Sequence, residues 1–117
     1  MREREEQLQV FKADVFRALA HPVRIRLLEV LVRGERSVQE LQGELDLGQA
    51  VVSQQLAVLR GRNIVVARKE GTTVRYAVSD PLFADLLSVA RRIFTNHLAG
   101  RHAMLRQLQQ EVRRQPK

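Results

Sequence analysis

Between Ser37 and Arg60 the chain reads SVQELQGELDLGQAVVSQQLAVLR, two short helical periods on either side of a turn, and few folds accommodate that pattern. Ser37 and Glu40 form an S-x-x-E capping box, in which the hydroxyl and the carboxylate satisfy the free amides of a helix start. Val38, Leu41 and Leu45 then repeat at helical spacing until Asp46-Leu47-Gly48 interrupts them with a turn former and a glycine. A second period places Val52, Leu56 and Leu59 on one face for core packing and leaves Gln49, Ser53, Gln54 and Ala57 facing away from it. Two helices joined this tightly make a helix-turn-helix.

The flanking segments extend this unit without a linker, repeat or low-complexity tract. From Glu5 to Ala20 the residues Leu8, Phe11, Val15 and Leu19 keep helical spacing, and His21-Pro22 ends the run. Pro22 suits the first position of a new helix through Val23, Leu27, Leu28 and Leu31, ending at Gly34. Ile64 to Lys69 and Thr73 to Val78 are rich in β-branched residues around Glu70-Gly71-Thr72, which predicts a β-hairpin. Asp80-Pro81 signals a further helix, with Leu82, Leu86, Leu87, Ala90, Ile93 and Phe94 as its apolar stripe and an end near Leu98. Gly100 predicts a break, followed by a last amphipathic segment carrying Met104, Leu105, Leu108 and Val112. The expected fold is mainly α with a small β-hairpin: a winged helix-turn-helix, in one domain over residues 1–117.

Charge adds a partner class. The formal net charge is +7, and residues 49–79 hold five Lys or Arg against one Glu. Residues 37–59 contain Glu40, Glu44 and Asp46 but no Lys or Arg, so affinity for a polyanion must come from beside the second helix. Arg60, Arg62, Arg68, Lys69 and Arg75 follow it directly and are the expected phosphate contacts, with Thr72 and Thr73 as hydrogen-bonding residues at the wing tip. Some of these arginines have the alternative of pairing with carboxylates. Gln pairs bidentately with an adenine edge and Ser donates or accepts, so Gln49, Ser53, Gln54 and Gln55 are assigned to base or near-base contacts.

The chain has no cysteine, and therefore no disulfide, thiol nucleophile or zinc-cysteine cluster. It offers no P-loop and no G-x-G-x-x-G, and its three histidines stand in no recognisable serine and acid constellation, so catalysis is not expected. No signal pattern or long apolar run occurs, which predicts a soluble, cytoplasmic protein with no membrane association. Two other binding classes stay open. The basic amphipathic stretch from Arg91 to Lys117 could serve as a protein-interaction module, and the chain could bind DNA without sequence preference.

The segments ALAHPVRIRLLEVL (18–31), VVSQQLAVLR (51–60) and EGTTVRYAV (70–78) resemble the ArsR/SmtB regulators, and the resemblance covers about residues 11 to 95. It implies a dimeric transcription regulator with the helix from Gln49 to Arg60 in the DNA major groove and the hairpin on the backbone. It also implies pairing through the terminal helices, with Leu8, Phe11, Val15, Leu86, Ile93, Met104, Leu105 and Leu108 in the interface and a near-palindromic double-stranded operator. Relatives often have His where this chain has Gln55, and a basic residue where it has Thr72. In the metal sites of the family, Ser37 and Gln39 stand in place of the two cysteines, and Leu82, Ile93 and Asn96 replace three of four ligands beside the retained Asp80. No metal or other cofactor is expected. His97 and His102 are the remaining metal candidates, but five residues separate them by about 140° on a continuous helix, so one ion reaches both only if Gly100 bends the chain. Without an intrinsic sensor, the chain binds DNA constitutively, responds to a small molecule, or relies on a separate sensing partner protein.

Overall fold

The computed structural model describes residues 2–114, so Lys117 at the end of the basic C-terminal stretch lies outside the described residues. The order is α1 (Arg2–Leu19), α2 (Pro22–Leu31), β1 (Arg36–Ser37), α3 (Val38–Leu45), α4 (Gln49–Gly61), β2 (Val65–Glu70), β3 (Thr73–Val78) and α5 (Leu82–Arg114). The chain divides into two compact units, residues 1–84 and residues 85–117.

In the first unit the local signals act as their chemistry requires. His21 caps α2, its Nδ1 accepting from the Val23 N–H at 3.1 Å, and Pro22 follows as the first helical residue. At α3 the capping box closes in both directions: Ser37 Oγ accepts from the Glu40 N–H at 3.2 Å and Glu40 Oε1 accepts from the Ser37 N–H at 3.0 Å. The turn between α3 and α4 falls at Asp46-Leu47-Gly48. Asp46, and not Gly48, takes the left-handed conformation, with φ 54°. Gly48 is extended, at φ −71°, and precedes α4 as its N-cap. Asp tolerates the left-handed region because its short polar side chain can bond locally.

Helix α4 ends in a Schellman motif. Asn63 is left-handed at φ 58°, its N–H donates to Arg60 O at 3.0 Å, and the Ile64 N–H donates to Leu59 O at 3.0 Å. Leu59 and Ile64 are both buried, so the apolar contact that accompanies this motif joins the helix end to the start of the wing.

The core follows from the periodicities. Leu27, Leu28 and Leu31 of α2, Leu41 of α3, Val52, Leu56 and Leu59 of α4, and Ile64 and Val65 at the start of the wing are fully buried. Arg26 reaches across from α2 to donate to Leu45 O at 2.8 Å, satisfying a carbonyl that the end of α3 leaves free.

The sheet holds a strand that periodicity does not reveal. Its order is β1-β3-β2, all antiparallel, with Arg36 opposite Tyr76 and Ser37 opposite Arg75. Two residues carry no period, so β1 is set by its partner strand and not by its own pattern. In the hairpin, Glu70 pairs with Thr73 around the two-residue loop Gly71-Thr72, where Gly71 at φ 62° supplies the positive angle that such tight loops need.

Helix α5 is the larger departure. It runs without interruption from Leu82 to Arg114 through Gly100, where a break near Leu98 was expected. A single glycine costs a helix only about 1 kcal/mol relative to alanine, and Leu98, Ala99, Arg101, Ala103, Met104 and Leu105 around it are strong helix formers. At its start, Asp80 Oδ1 accepts from the Leu82 N–H at 2.9 Å. No helix among the described residues is long and apolar enough to cross a membrane.

Candidate nucleic-acid interface

Taking the buried Val52, Leu56 and Leu59 as the inner face of α4, the remaining residues sort by rotation at about 100° per residue. Ala50, Gln54 and Ala57 point most directly outward, Gln49, Ser53 and Arg60 lie on one flank, and Gln55 lies on the other. Gln49, Ser53, Gln54 and Arg60 are all exposed. The outer face is therefore uncharged and rich in groups that hydrogen-bond, as base-edge reading requires.

Gln55 has another engagement. Its Oε1 accepts from Arg24 Nη1 at 2.8 Å, and the same guanidinium donates to Ala18 O and Arg17 O at the end of α1. One arginine thus satisfies carbonyls of the last turn of α1 and holds a side chain of α4 across 31 positions of sequence. The half-buried Gln55 amide is a strut on the flank of the helix.

The five basic residues from Arg60 to Arg75 divide in the same way. Arg68 and Arg75 sit directly opposite each other on β2 and β3, an arrangement that repels unless carboxylates intervene. Glu35 accepts from both, from Arg68 Nη2 at 2.5 Å and from Arg75 Nε at 3.2 Å. Glu70 adds a 3.0 Å contact to Arg68, and Glu40 a 3.1 Å contact to Arg75. Arg62 approaches Asp14 of α1 at 3.5 Å. Arg60 and Lys69 make no ion pair among the described residues, and Thr72 and Thr73 are exposed at the hairpin tip. The carboxylate pairing left open by the sequence thus holds for Arg62, Arg68 and Arg75, while Arg60 and Lys69 remain available to an incoming polyanion.

These pairs shift titrations. The hydrogen bond from Arg68 holds the Glu35 carboxyl below its ordinary value of 4.5, and the Ser37 backbone amide does the same for Glu40. Hydrogen bonding to Glu35 raises the Arg68 guanidinium in turn. Because the folded-state values of both carboxyls are depressed, their contribution is complete at neutral pH and is lost as pH falls below 4.5 through those lower values. The Glu35 side-chain carbon, followed by NMR, is expected to titrate below 4.5. A midpoint at or above 4.5 would contradict the assignment of Glu35 as the anchor of the wing base.

The interface expected from the terminal helices is exposed along α5: Leu86 is 38% accessible, Ile93 58%, Met104 62%, Leu105 55% and Leu108 50%. On α1, Leu8 and Phe11 are exposed, whereas Val15 is half-buried within the subunit.

The residues at the family's metal positions do not fit a metal. Ser37 Oγ is committed to the α3 cap and Asp80 Oδ1 to the Leu82 amide, and neither Gln39 nor Asn96 is an anionic or imidazole ligand. On the continuous α5, His97 and His102 diverge by about 140°. Among the described residues, no three His, Asp or Glu side chains come together to hold an ion.

Comparison with known proteins agrees with this architecture. Residues 21–66 match the bacterial regulatory proteins of the arsR family. The HTH-type transcriptional regulator Rv0081 of Mycobacterium tuberculosis is 44% identical over 104 residues, 88% of this chain and 91% of the relative. Its crystal structure superposes with a TM-score of 0.74 over 80% of this chain and 95% of that one. A probable mercury resistance operon repressor of Streptomyces lividans is 40% identical over 75% of this chain and 70% of its own length. The homodimeric winged helix-turn-helix DNA-binding domain of Mb0332 from Mycobacterium bovis has a TM-score of 0.74 at 29% identity, over 81% of this chain and 88% of that one. A narrower resemblance of the same motifs, to the individual regulator SrnR, is not what these relatives support; they direct the comparison to Rv0081.

Proposed function

We propose that this chain, which belongs to the ArsR family of bacterial regulatory proteins, is a sequence-specific transcription regulator that reads its operator with α4 in the major groove and rests β2 and β3 on the backbone. The observation that carries this reading is the exposed amide and hydroxyl face of α4, held on a buried apolar stripe, with Arg60 on its flank and Lys69 on β2 both free of ion pairs among the described residues. Gln54 projects most directly outward and is the principal base reader, with Gln49 and Ser53 beside it. Gln55 supports the helix through Arg24. Arg60 and Lys69 are the primary phosphate contacts, Thr72 and Thr73 add hydrogen bonds at the tip, and Arg68 and Arg75 shape the wing.

The chain acts as a homodimer through α1 and α5, which sets two recognition helices about 34–36 Å apart on a near-palindromic site. It engages DNA without a metal, and either binds constitutively or takes its signal from a small molecule or a separate sensing partner.

Gln54→Ala is expected to cost about 1–3 kcal/mol on the operator, concentrated at one base pair of each half-site. Lys69→Ala is expected to weaken all duplexes about equally and to lower the salt dependence of binding by about one counterion. Fluorescence anisotropy on operator, single-pair variants and scrambled DNA reads both. Equal losses on operator and scrambled DNA for Gln54→Ala would remove it from base readout.

A further inference from the structure

Between the flank of α4 and strand β3 lies a shallow cleft of ≈ 320 Å³, lined by Ser53, Ala57, Arg60 and Gly61 from the helix and by Tyr76 from the sheet. Three observations single it out. Ser53, Ala57 and Gly61 are four residues apart, so the helical wall is made of small side chains along one line. Arg60 is the only cation lining it and makes no ion pair among the described residues, whereas Arg68 and Arg75 are tied to carboxylates. Gly61 is required by nothing within the chain: its φ is not positive, and a Cβ placed on it meets no atom within 4 Å. Gly61 is the last residue of α4, and its backbone conformation is one that other residues also adopt. What glycine preserves is the open space in front of it.

We infer that the cleft seats one backbone phosphate of the bound DNA strand where that strand passes from the recognition helix to the wing. The Arg60 guanidinium supplies the charge, the Tyr76 hydroxyl donates to a phosphate oxygen, and the small side chains of Ser53, Ala57 and Gly61 let the sugar-phosphate chain approach the helix backbone. This assigns Tyr76 and Gly61 to DNA binding, and it rests on the DNA-reading role given to α4 above. A diester phosphate suits the site better than an acidic side chain because the cleft has a cation on its helical wall and a hydroxyl on its sheet wall, and is shallow and open enough for a continuing strand.

The test compares wild type with Arg60→Gln, Tyr76→Phe and Gly61→Leu on the DNA upstream of the protein's own gene and on a random duplex at low salt. Arg60→Gln is expected to reduce the slope of log K against log salt by about one. Tyr76→Phe should weaken both duplexes roughly threefold to tenfold, the effect of one lost hydrogen bond. Gly61→Leu should fill the cleft and weaken both duplexes more than Tyr76→Phe does, at an unchanged or higher unfolding temperature, which separates occlusion from misfolding. An unchanged salt slope in Arg60→Gln, or wild-type affinity in Gly61→Leu, would overturn the assignment. Inorganic phosphate titrated without DNA is the remaining arm: saturation of Arg60 and Tyr76 NMR shifts below millimolar concentration would assign the cleft to a free anion instead. Wild-type protein that binds neither duplex would remove the regulator reading itself, whereas wild-type binding indifferent to all three substitutions would remove only the cleft.

Discussion

Replacing Leu86 and Ile93 together by Glu is expected to convert the protein to a monomer and to lower operator affinity at least about a hundredfold. The two residues lie seven apart on α5, on the line of Leu82 and Val89, and all four are exposed apolar side chains. An apolar strip of this length on one helix requires a cover in water, and a second copy of the same helix supplies one with matching chemistry. Two carboxylates placed in that strip have no cations on the same line to offset their desolvation. Once the subunits separate, each half-site is bound alone and the gain from linking two binding events disappears, a gain of about two to four orders of magnitude. Sedimentation velocity gives the mass and anisotropy gives the affinity. Thr95→Glu, near the opposite side of the helix, is the control and should change neither. A double variant that remains dimeric would move the interface away from this face of α5.

Leu56→Ala is expected to lower the unfolding free energy by about 2–5 kcal/mol, a large share of the 5–15 kcal/mol typical of small domains. Leu56 is 1% exposed and sits between Val52 and Leu59 on the buried face of α4, against the leucines of α2 and α3. Removing its three terminal carbons leaves a cavity at the place where the recognition helix is seated, so the tilt of α4 and the positions of Gln49, Ser53 and Gln54 change with it. Urea denaturation at one fixed protein concentration reads the loss as a lower midpoint with an unchanged slope. A loss under about 1 kcal/mol would mean that α4 is held by something other than this apolar seam. Gln54→Ala, by contrast, touches the exposed face and should leave the midpoint where it was.

The features legible in the sequence are those written locally. Ser37 with Glu40, His21-Pro22, the stripe Val52, Leu56, Leu59 and the β-branched runs around Gly71 each determine their own element, because caps, periods and tight turns act over a few residues. What was not legible depends on partners far along the chain. Strand β1 exists because Ser37 pairs with Arg75, and nothing in two residues announces it. Gln55 reads as a base or near-base contact from its helix alone, and its hydrogen bond from Arg24, on another helix, is beyond what a local pattern carries. Arg68 and Arg75 read as phosphate contacts with the alternative of pairing with carboxylates; their direct opposition across the hairpin calls for carboxylates, and Glu35 provides one from the loop before β1. That demand could have been read from the hairpin register once Glu70-Gly71-Thr72 was aligned. Gly100 misled for the opposite reason: its local tendency to end a helix is small beside the summed propensity of its neighbours.

The neutralised wing base changes how affinity is distributed. In the proposed complex, with Arg68 and Arg75 engaged, the charge that meets DNA is concentrated at Arg60, on the recognition helix, and at Lys69, near the tip of the hairpin. Few phosphate contacts make a modest non-specific component, so the uncharged face of α4 carries a correspondingly larger share of the selectivity.

The central claim is tested most directly by fluorescence anisotropy with the DNA upstream of the protein's own gene against a scrambled duplex, at fixed near-physiological salt with chelator present. The account predicts tight binding to the upstream DNA and binding to the scrambled duplex weaker by roughly a thousandfold or more, as specific regulators display. Equal, weak binding to both would contradict a regulator that reads this sequence without a metal.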